Sequence, residues 1–587
     1  LTDDDSLDGA ALSTEIASFV ITVGDANRDR RAPVVRLTAP SSKTRTVDAS
    51  FDIAGTVADD SSLSSLEVKV NGRSLKLDGP LAFTPGQAMP WSVTGAKAEN
   101  GPNRVEVIAI DGMGHRTRVV KTVNHWNERP ELAGVYQAWM KPEGTPANEK
   151  TGLVTVNLTA RGAFSGTVVH LGRPSHFRGV LDNEGRARFY TSRTAIADEA
   201  DGLPLYPQYK KFVSGDTGTI APVGILRFAV TDPTAAARTH TVLAGENLYR
   251  IALRYDVTMG AIALANHISN VANIHAGQVL TIPVQGETGL TGTFDGPPDT
   301  NGAAGTRLAA FQGHRAPHGK TNPVPDAFLN RQSRGKLVKG VYNVVFGAKD
   351  QTPALDSAKY PRGDGFAVLS LGTTGTLSLR GQLADGTKFM TGALLRLNHS
   401  AAIHAPLYRA AGSLGGELLF ADQPDTDLSA TDLLWIAPAN ARAARHVEGW
   451  PNGIRVDLAG TQFTPPASLD FGQGATRTDG GNAEVVLDEG QLTTNLVLPV
   501  NVDPVTGKAT YPATPVRAAG FSLKLDGRTG QFGGTFIHEN GARLKYQGIL
   551  LNKGKNRGGF GFFLTPRPNG ESGGVGLQIP APPVETN

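Results

Sequence analysis

The chain is 587 residues long, which at about 100–200 residues per domain makes several domains, each able to bury a core. It has no cysteine, which excludes disulfides, thiolate metal sites and cysteine nucleophiles together. A formal charge of +3, from 57 basic and 54 acidic residues, gives no footprint for nucleic acid or an anionic membrane, and no apolar run reaches the ~18 residues a spanning helix needs.

Gly (70) and Pro (37) recur between apolar stretches while only 19% of residues are charged, so the chain reads as many short strands joined by turns. In residues 1–32, Phe19, Ile21 and Val23 alternate as one strand, and Asp25-Ala26-Asn27-Arg28 leads to Pro33 as a linker. The segment resembles the tail of a cadherin-like or immunoglobulin-like domain. In cadherin-like repeats acidic junctions bind calcium; here Arg28, Arg30 and Arg31 oppose a divalent cation, so a plain linker is expected. The chain starts at Leu1 in what reads as mid-domain sequence, which predicts a processed or trimmed piece of a longer protein.

Residues 33–128 read as a β-sandwich. Leu66, Val68 and Val70 alternate and end at Asn71-Gly72, a hairpin signal, and Val105, Val107 and Ala109 alternate again. The stretch resembles bacterial immunoglobulin-like repeats, with Asp111-Gly112-Met113-Gly114-His115 at their late hairpin.

The remainder contains an internal repeat. Gly134-Val135-Tyr136 recurs as Gly340-Val341-Tyr342, and Pro204-Leu205-Tyr206 as Pro406-Leu407-Tyr408. Gly162-Ala163-Phe164-Ser165-Gly166-Thr167 is echoed at Gly289–Phe294 and Gly530–Thr535, each followed by an aromatic-x-Gly: Phe177-Arg178-Gly179, Phe311-Gln312-Gly313 and Tyr546-Gln547-Gly548. Two antiparallel β units are expected, 129–338 and 339–580, with a tail at 581–587. The Pro-Leu-Tyr pieces read as packed corners, with sugar stacking by Tyr206 or Tyr408 as the alternative. These units resemble glycine-rich β repeats in exported proteins of bacteria such as Verrucomicrobia and Planctomycetes, which implies location more than activity.

Residues 239–283 break the pattern. Thr241-Val242 reads as a strand, and Leu248, Ile251, Ala252 and Tyr255 fall on one helical face after Asn247 or Glu246 as N-terminal cap. Thr258 caps a second short helix carrying Met259, Ile262 and Ala263, and Gly277-Gln278 turns into Val279-Leu280-Thr281-Ile282 before Pro283. The order is strand, helix, helix, strand. Together with Gly245, Val257, Leu264-Ala265-Asn266, Ile268 and Ile274, these residues resemble the LysM domain. Ala244, Glu246 and Asn247 depart from the proline, aspartate and threonine usual there.

The resemblance implies binding of N-acetylglucosamine-containing glycan, peptidoglycan or chitin, in a shallow groove. Its first wall would be Gly245, Glu246, Asn247 and Leu248, and its second Asn273, Ile274, His275 and Ala276. Backbone groups would pair with the acetamide, and Leu248 and Ile274 would meet its methyl group. Strand-like runs at Leu226–Val230 and Gly289–Phe294 flank the segment, so the module is expected to interrupt a hairpin of the first β unit.

The fold class expected is therefore mainly β and multidomain: an immunoglobulin-like β-sandwich and two repeated antiparallel β units, with a small βααβ LysM module inserted in the first. No nucleophile elbow, HExxH or P-loop appears, and His314 and His318 in a Pro- and Gly-rich loop have no further ligand pattern. The expected function is non-catalytic and cofactor-free: an extracellular or cell-envelope protein tethered to peptidoglycan or another N-acetylglucosamine polymer. It would have no nucleic-acid partner and no membrane span, and since one module binds weakly, self-association or several copies are expected to assist. Two alternatives stay open: a structural or adhesive surface protein with a silent LysM fold, and a glycan-active enzyme within the β units.

Overall fold

A computed structural model describes residues 30–41, 45–46, 48–127, 129, 132–190, 202–205, 222–231, 238–255, 262–263, 266, 268, 274–282, 289–297, 305–320, 322–348, 359–443, 445–566 and 569–580. The expected strand at Phe19–Val23, the Asp25–Arg28 junction and Tyr206 lie outside them. The chain divides into two compact units, Leu1–His125 and Trp126–Asn587.

In the first unit a three-stranded sheet (Val34–Ala39, Ser50–Ala58, Met89–Lys97) faces a five-stranded one built on Leu63–Val70, Gly101–Asp111 and Arg116–His125. Alternation places Ile53, Val57, Val68, Trp91, Val105 and Val107 in the shared core of this β-sandwich. Asn71 and Gly72 both take positive φ (51° and 84°), as a two-residue hairpin turn requires, and Val70 pairs with Arg73 across it.

Among the described residues the second unit holds three antiparallel sheets of ten, nine and eight strands, and a two-stranded ribbon. Each large sheet has its own core. In each, one early strand pairs with both the strand that follows it and one from the sheet's end in sequence. Gly134–Pro142 lies between Gly152–Leu158 and Arg307–Gly313; Lys336–Ala348 between Gly365–Gly372 and Trp450–Gln462; Ala483–Glu489 between Leu496–Val502 and Ser572–Gln578. The outer strands then meet. Val230 N–H donates to Gly185 O (2.8 Å), Thr391 Oγ1 to His404 O (2.9 Å) and Leu523 N–H to the Tyr511 hydroxyl (3.0 Å). The result is three barrel-like meanders that leave few open edges.

The repeated residues occupy like positions. Tyr136 and Tyr342 are both buried on that early strand of their sheet, and each hydroxyl donates to a carbonyl just upstream, Leu132 O (2.7 Å) and Phe328 O (2.9 Å). The glycine–aromatic echo is a packing device: Phe164 pairs with Gly179, Phe177 with Gly166, Phe311 with Gly292 and Phe532 with Gly548. A Cβ on Gly166 would lie 2.3 Å from the Phe177 ring, on Gly292 2.2 Å from Phe311 and on Gly548 2.5 Å from Phe532. The ring thus occupies the space above the facing glycine where a side chain would stand, and covers backbone that no side chain protects. Residues 339–580, expected as one repeat unit, hold two of these sheets. The third lacks the Gly-Val-Tyr and Pro-Leu-Tyr pieces and shares only the glycine–aromatic hairpin, so its separateness is muted in the sequence.

The barrels lie against one another. Trp139 and Leu153 of the first pack on Ala402, Leu434 and Ile436 of the second. Asn343 Nδ2 donates from the second barrel to Thr529 O and Leu550 O of the third, both at 3.0 Å. Lys553 reaches back to the second barrel and pairs with Asp422 and Asp427. Tyr408 is a packed corner: its hydroxyl donates to Asp385 Oδ2 (2.7 Å) and accepts from Trp435 Nε1 (3.1 Å).

Strands Gly224–Thr231 and Gly289–Asp295 are paired neighbours, Leu226 opposite Phe294 and Val230 opposite Leu290. Residues 232–288 therefore lie within a hairpin of the first barrel. The matching hairpin of the third barrel, Ser522–Leu525 with Gln531–Ile537, is closed by a short turn. No helix among the described residues is long and apolar enough to cross a membrane.

Candidate functional site

Within that hairpin, Arg238–Thr241 pairs antiparallel with Val279–Ile282. Helix α1 spans Leu248–Tyr255. Its 3.6-residue spacing buries Leu248, Ile251 and Ala252 with Val242, Leu280 and Ile282, and Tyr255, Ile268 and Ile274 pack at the margin. Asn247 caps the helix, its Oδ1 accepting from Arg250 N–H at 2.9 Å. Ile262 and Ala263 are helical and buried; the remainder of the expected second helix lies outside the described residues. Asn266 ties this part to the ribbon. Its amide donates to Ile262 O and Thr281 O and accepts from Thr281 N–H, each at 2.7 Å.

Two like turns close one end of the ribbon. In the first, Glu246 N–H donates to Leu243 O (3.1 Å) around Gly245 at φ +82°. In the second, Gln278 N–H donates to His275 O (3.1 Å) around Gly277 at φ +86°. A positive φ at the third of four residues is the type II pattern, which calls for glycine there. Val242 N–H donates to Gln278 O and Gly277 N–H to Val242 O, both at 2.8 Å, so the turns stand side by side.

Glu246 faces inward. Its Oε2 accepts from Leu243 N–H (2.9 Å) and lies 2.8 Å from His240 Nε2, while Oε1 lies 2.8 Å from Arg254 Nη1; the side chain is 10% exposed. With His240 Nε2–H donating to the carboxylate, Nδ1 is left to accept from the Tyr255 hydroxyl at 3.0 Å. The Leu243 backbone N–H first, then His240, hold the Glu246 carboxyl below the usual glutamate range.

The expected walls are thus redistributed. Gly245, Asn247, His275 and Ala276 are exposed, and Ile274 is half-buried. Leu248 is 1% exposed and packed in the core, so the apolar contact expected from it is not available: position i of the buried helical stripe claims it. Glu246 is spent on holding the first turn. Asn273 lies outside the described residues. Sequence reading passed over Leu243, which is 57% exposed on the first turn; an apolar residue opening a glycine turn was the available signal. Elsewhere, His314 and His318 lie in no group of three His, Asp or Glu side chains able to hold a metal among the described residues.

Residues 240–283 match the LysM domain family. This segment is a LysM domain, built into a much larger β chain. No curated protein matches the chain. Among solved structures the chain is similar to the Bacteroides ovatus mixed-linkage glucan utilization locus SGBP-B in complex with a mixed-linkage heptasaccharide. The identity is 10% over 54% of this chain and 83% of that one, with a TM-score of 0.13, a level at which neither fold nor ligand carries across.

Proposed function

We propose that this is a non-catalytic extracellular or cell-envelope protein that binds an N-acetylglucosamine-containing glycan, peptidoglycan or chitin, through its LysM domain, with the barrels as scaffold or adhesive surface. The observation that carries the reading is the pair of glycine turns at one end of the ribbon. They present backbone amides and carbonyls beside Leu243 and Ile274, a surface suited to an acetamide and its methyl group. The carboxylate of the first turn, Glu246, is turned inward, paired with Arg254 and hydrogen-bonded to His240, which suits an uncharged sugar.

Titration of the full chain with chitohexaose tests this. Binding that is lost in Leu243→Asp, with the melting midpoint unchanged, supports the reading. Absence of binding in the unaltered chain returns it to a structural protein with a silent LysM fold. Release of soluble sugar from peptidoglycan or chitin contradicts the non-catalytic part.

A further inference from the structure

The seam between the first two barrels opens into a cavity of about 710 Å³. Its walls come from strands far apart in sequence: Trp139 and His314 on the first barrel, Arg396 and Glu417 on the second. That volume falls within the roughly 300–1,000 Å³ of small-molecule sites. The seam is fixed around it. Leu394 N–H donates to Gln137 Oε1 (2.9 Å), Arg396 Nη2 to Gln137 O (2.5 Å), and the Trp139 indole lies against Gly415, where a Cβ would come within 2.4 Å of it.

The polar groups of the lining are incompletely used. Arg396 is 2% exposed; its Nη1 donates to Glu417 Oε2 (2.6 Å) and Ser400 Oγ (3.1 Å), yet its buried Nε has no protein acceptor. His314 Nδ1 and Trp139 Nε1 are likewise buried without a partner. Trp139 Nε1 is the ring atom that faces Gly415 in the seam, which leaves Arg396 Nε and His314 Nδ1. Buried polar atoms are nearly always paired, so these two nitrogens on residues lining one cavity call for a ligand that carries its own hydrogen-bonding groups. Burial pushes the His314 pKa down to about 4, so its ring is neutral at pH 7.

We propose that this cavity is a second ligand site, independent of the LysM domain, that takes a neutral polyhydroxylated ligand of the oligosaccharide class. Charge decides the class. Arg396 and Glu417 neutralise one another, and the remaining lining charges are Lys141 against Glu143 and Asp432. An anion meets three carboxylates and a cation meets two bases, whereas hydroxyl groups both donate and accept. The apolar lining residues that are not sealed in a barrel core, Leu419 with Pro142 and Ala310, suit the C–H faces of a pyranose ring.

The test is calorimetric titration of the full chain with cellohexaose, maltohexaose and mannohexaose, none of which carries the acetamide that the LysM domain is proposed to read. At least one is expected to bind. Gln312→Trp and Thr431→Trp, at exposed strand positions lining the cavity, should each weaken that binding by about tenfold, with the melting midpoint retained. His314→Ala, which removes a nitrogen with no protein partner, should weaken it also. Leu243→Asp should leave it unchanged. The proposal is overturned if none of the three sugars binds, or if binding survives both tryptophan substitutions.

Discussion

His240 Nε2 lies 2.8 Å from Glu246 Oε2, so the LysM domain's first turn is held from the inside by a hydrogen bond between its opening strand and the residue before its helix cap. The same carboxylate oxygen accepts from Leu243 N–H, and its other oxygen meets Arg254 of α1. The turn that faces solvent is thereby fixed to the two elements behind it.

This arrangement predicts an acid response. The folded-state pKa of Glu246 is depressed, so its contribution is fully present above the unfolded value of about 4.3 and is lost as pH falls through the lower folded value. Protection of the Leu243 amide from hydrogen exchange, expressed as a protection factor, should be level above about pH 5 and drop below about pH 4. In Glu246→Gln the drop should vanish and protection should be lower throughout. An unaltered acid response in that variant would remove Glu246 from the account.

The turns predict opposite effects for two neighbouring positions. Proline suits the second residue of a type II turn, so Ala244→Pro and Ala276→Pro should each stabilise the domain by about 0.4–1 kcal/mol in chemical denaturation, leaving affinity for chitohexaose intact. Gly245→Ala and Gly277→Ala place a Cβ at φ +82° and +86° and should each cost about 1–2 kcal/mol.

Asn266 predicts a larger loss. Its side chain satisfies Ile262 O together with both backbone groups of Thr281. Asn266→Ala leaves these partly buried groups unpaired at about 1–3 kcal/mol each, enough to unfold so small a domain selectively. The measurement is hydrogen exchange by mass spectrometry, where peptides from 238–282 should exchange early while those from 483–578 stay protected.

The barrels give a parallel test in a different element. Gly166→Ala, Gly292→Ala and Gly548→Ala each drive a methyl group into the facing phenylalanine and into strand backbone, and each should cost about 1–3 kcal/mol. Gly86→Ala has open space around it and should show only the strain of its positive φ. Melting midpoints compare the four.

Much of this was legible in the sequence because it is local. Leu66, Val68 and Val70 alternate because one face of their strand is buried, and Leu248, Ile251 and Ala252 repeat at helical spacing for the same reason. The interruption of a hairpin by the LysM domain could be read from matching runs on either side of it. What stayed hidden depends on contacts distant along the chain. Glu246 reads as a rim residue until His240 and Arg254 are seen to hold it inward. Leu248 belongs to both the groove pattern and the core pattern, and only packing decides between them. The cavity of Trp139, His314 and Arg396 joins residues more than 250 positions apart and has no spacing signature. Residues 483–578 form their own sheet with too few of the repeated pieces to announce it.

The most direct test of the central claim is co-sedimentation with insoluble peptidoglycan and chitin. The intact chain is compared with a variant in which Thr239–Pro283 is replaced by the short turn Asp526–Gly530 of the third barrel. The account predicts that the intact chain sediments with at least one polymer and that the variant, folded by its melting curve, stays in solution. Equal sedimentation of the two proteins, or of neither, would contradict glycan tethering by the LysM domain.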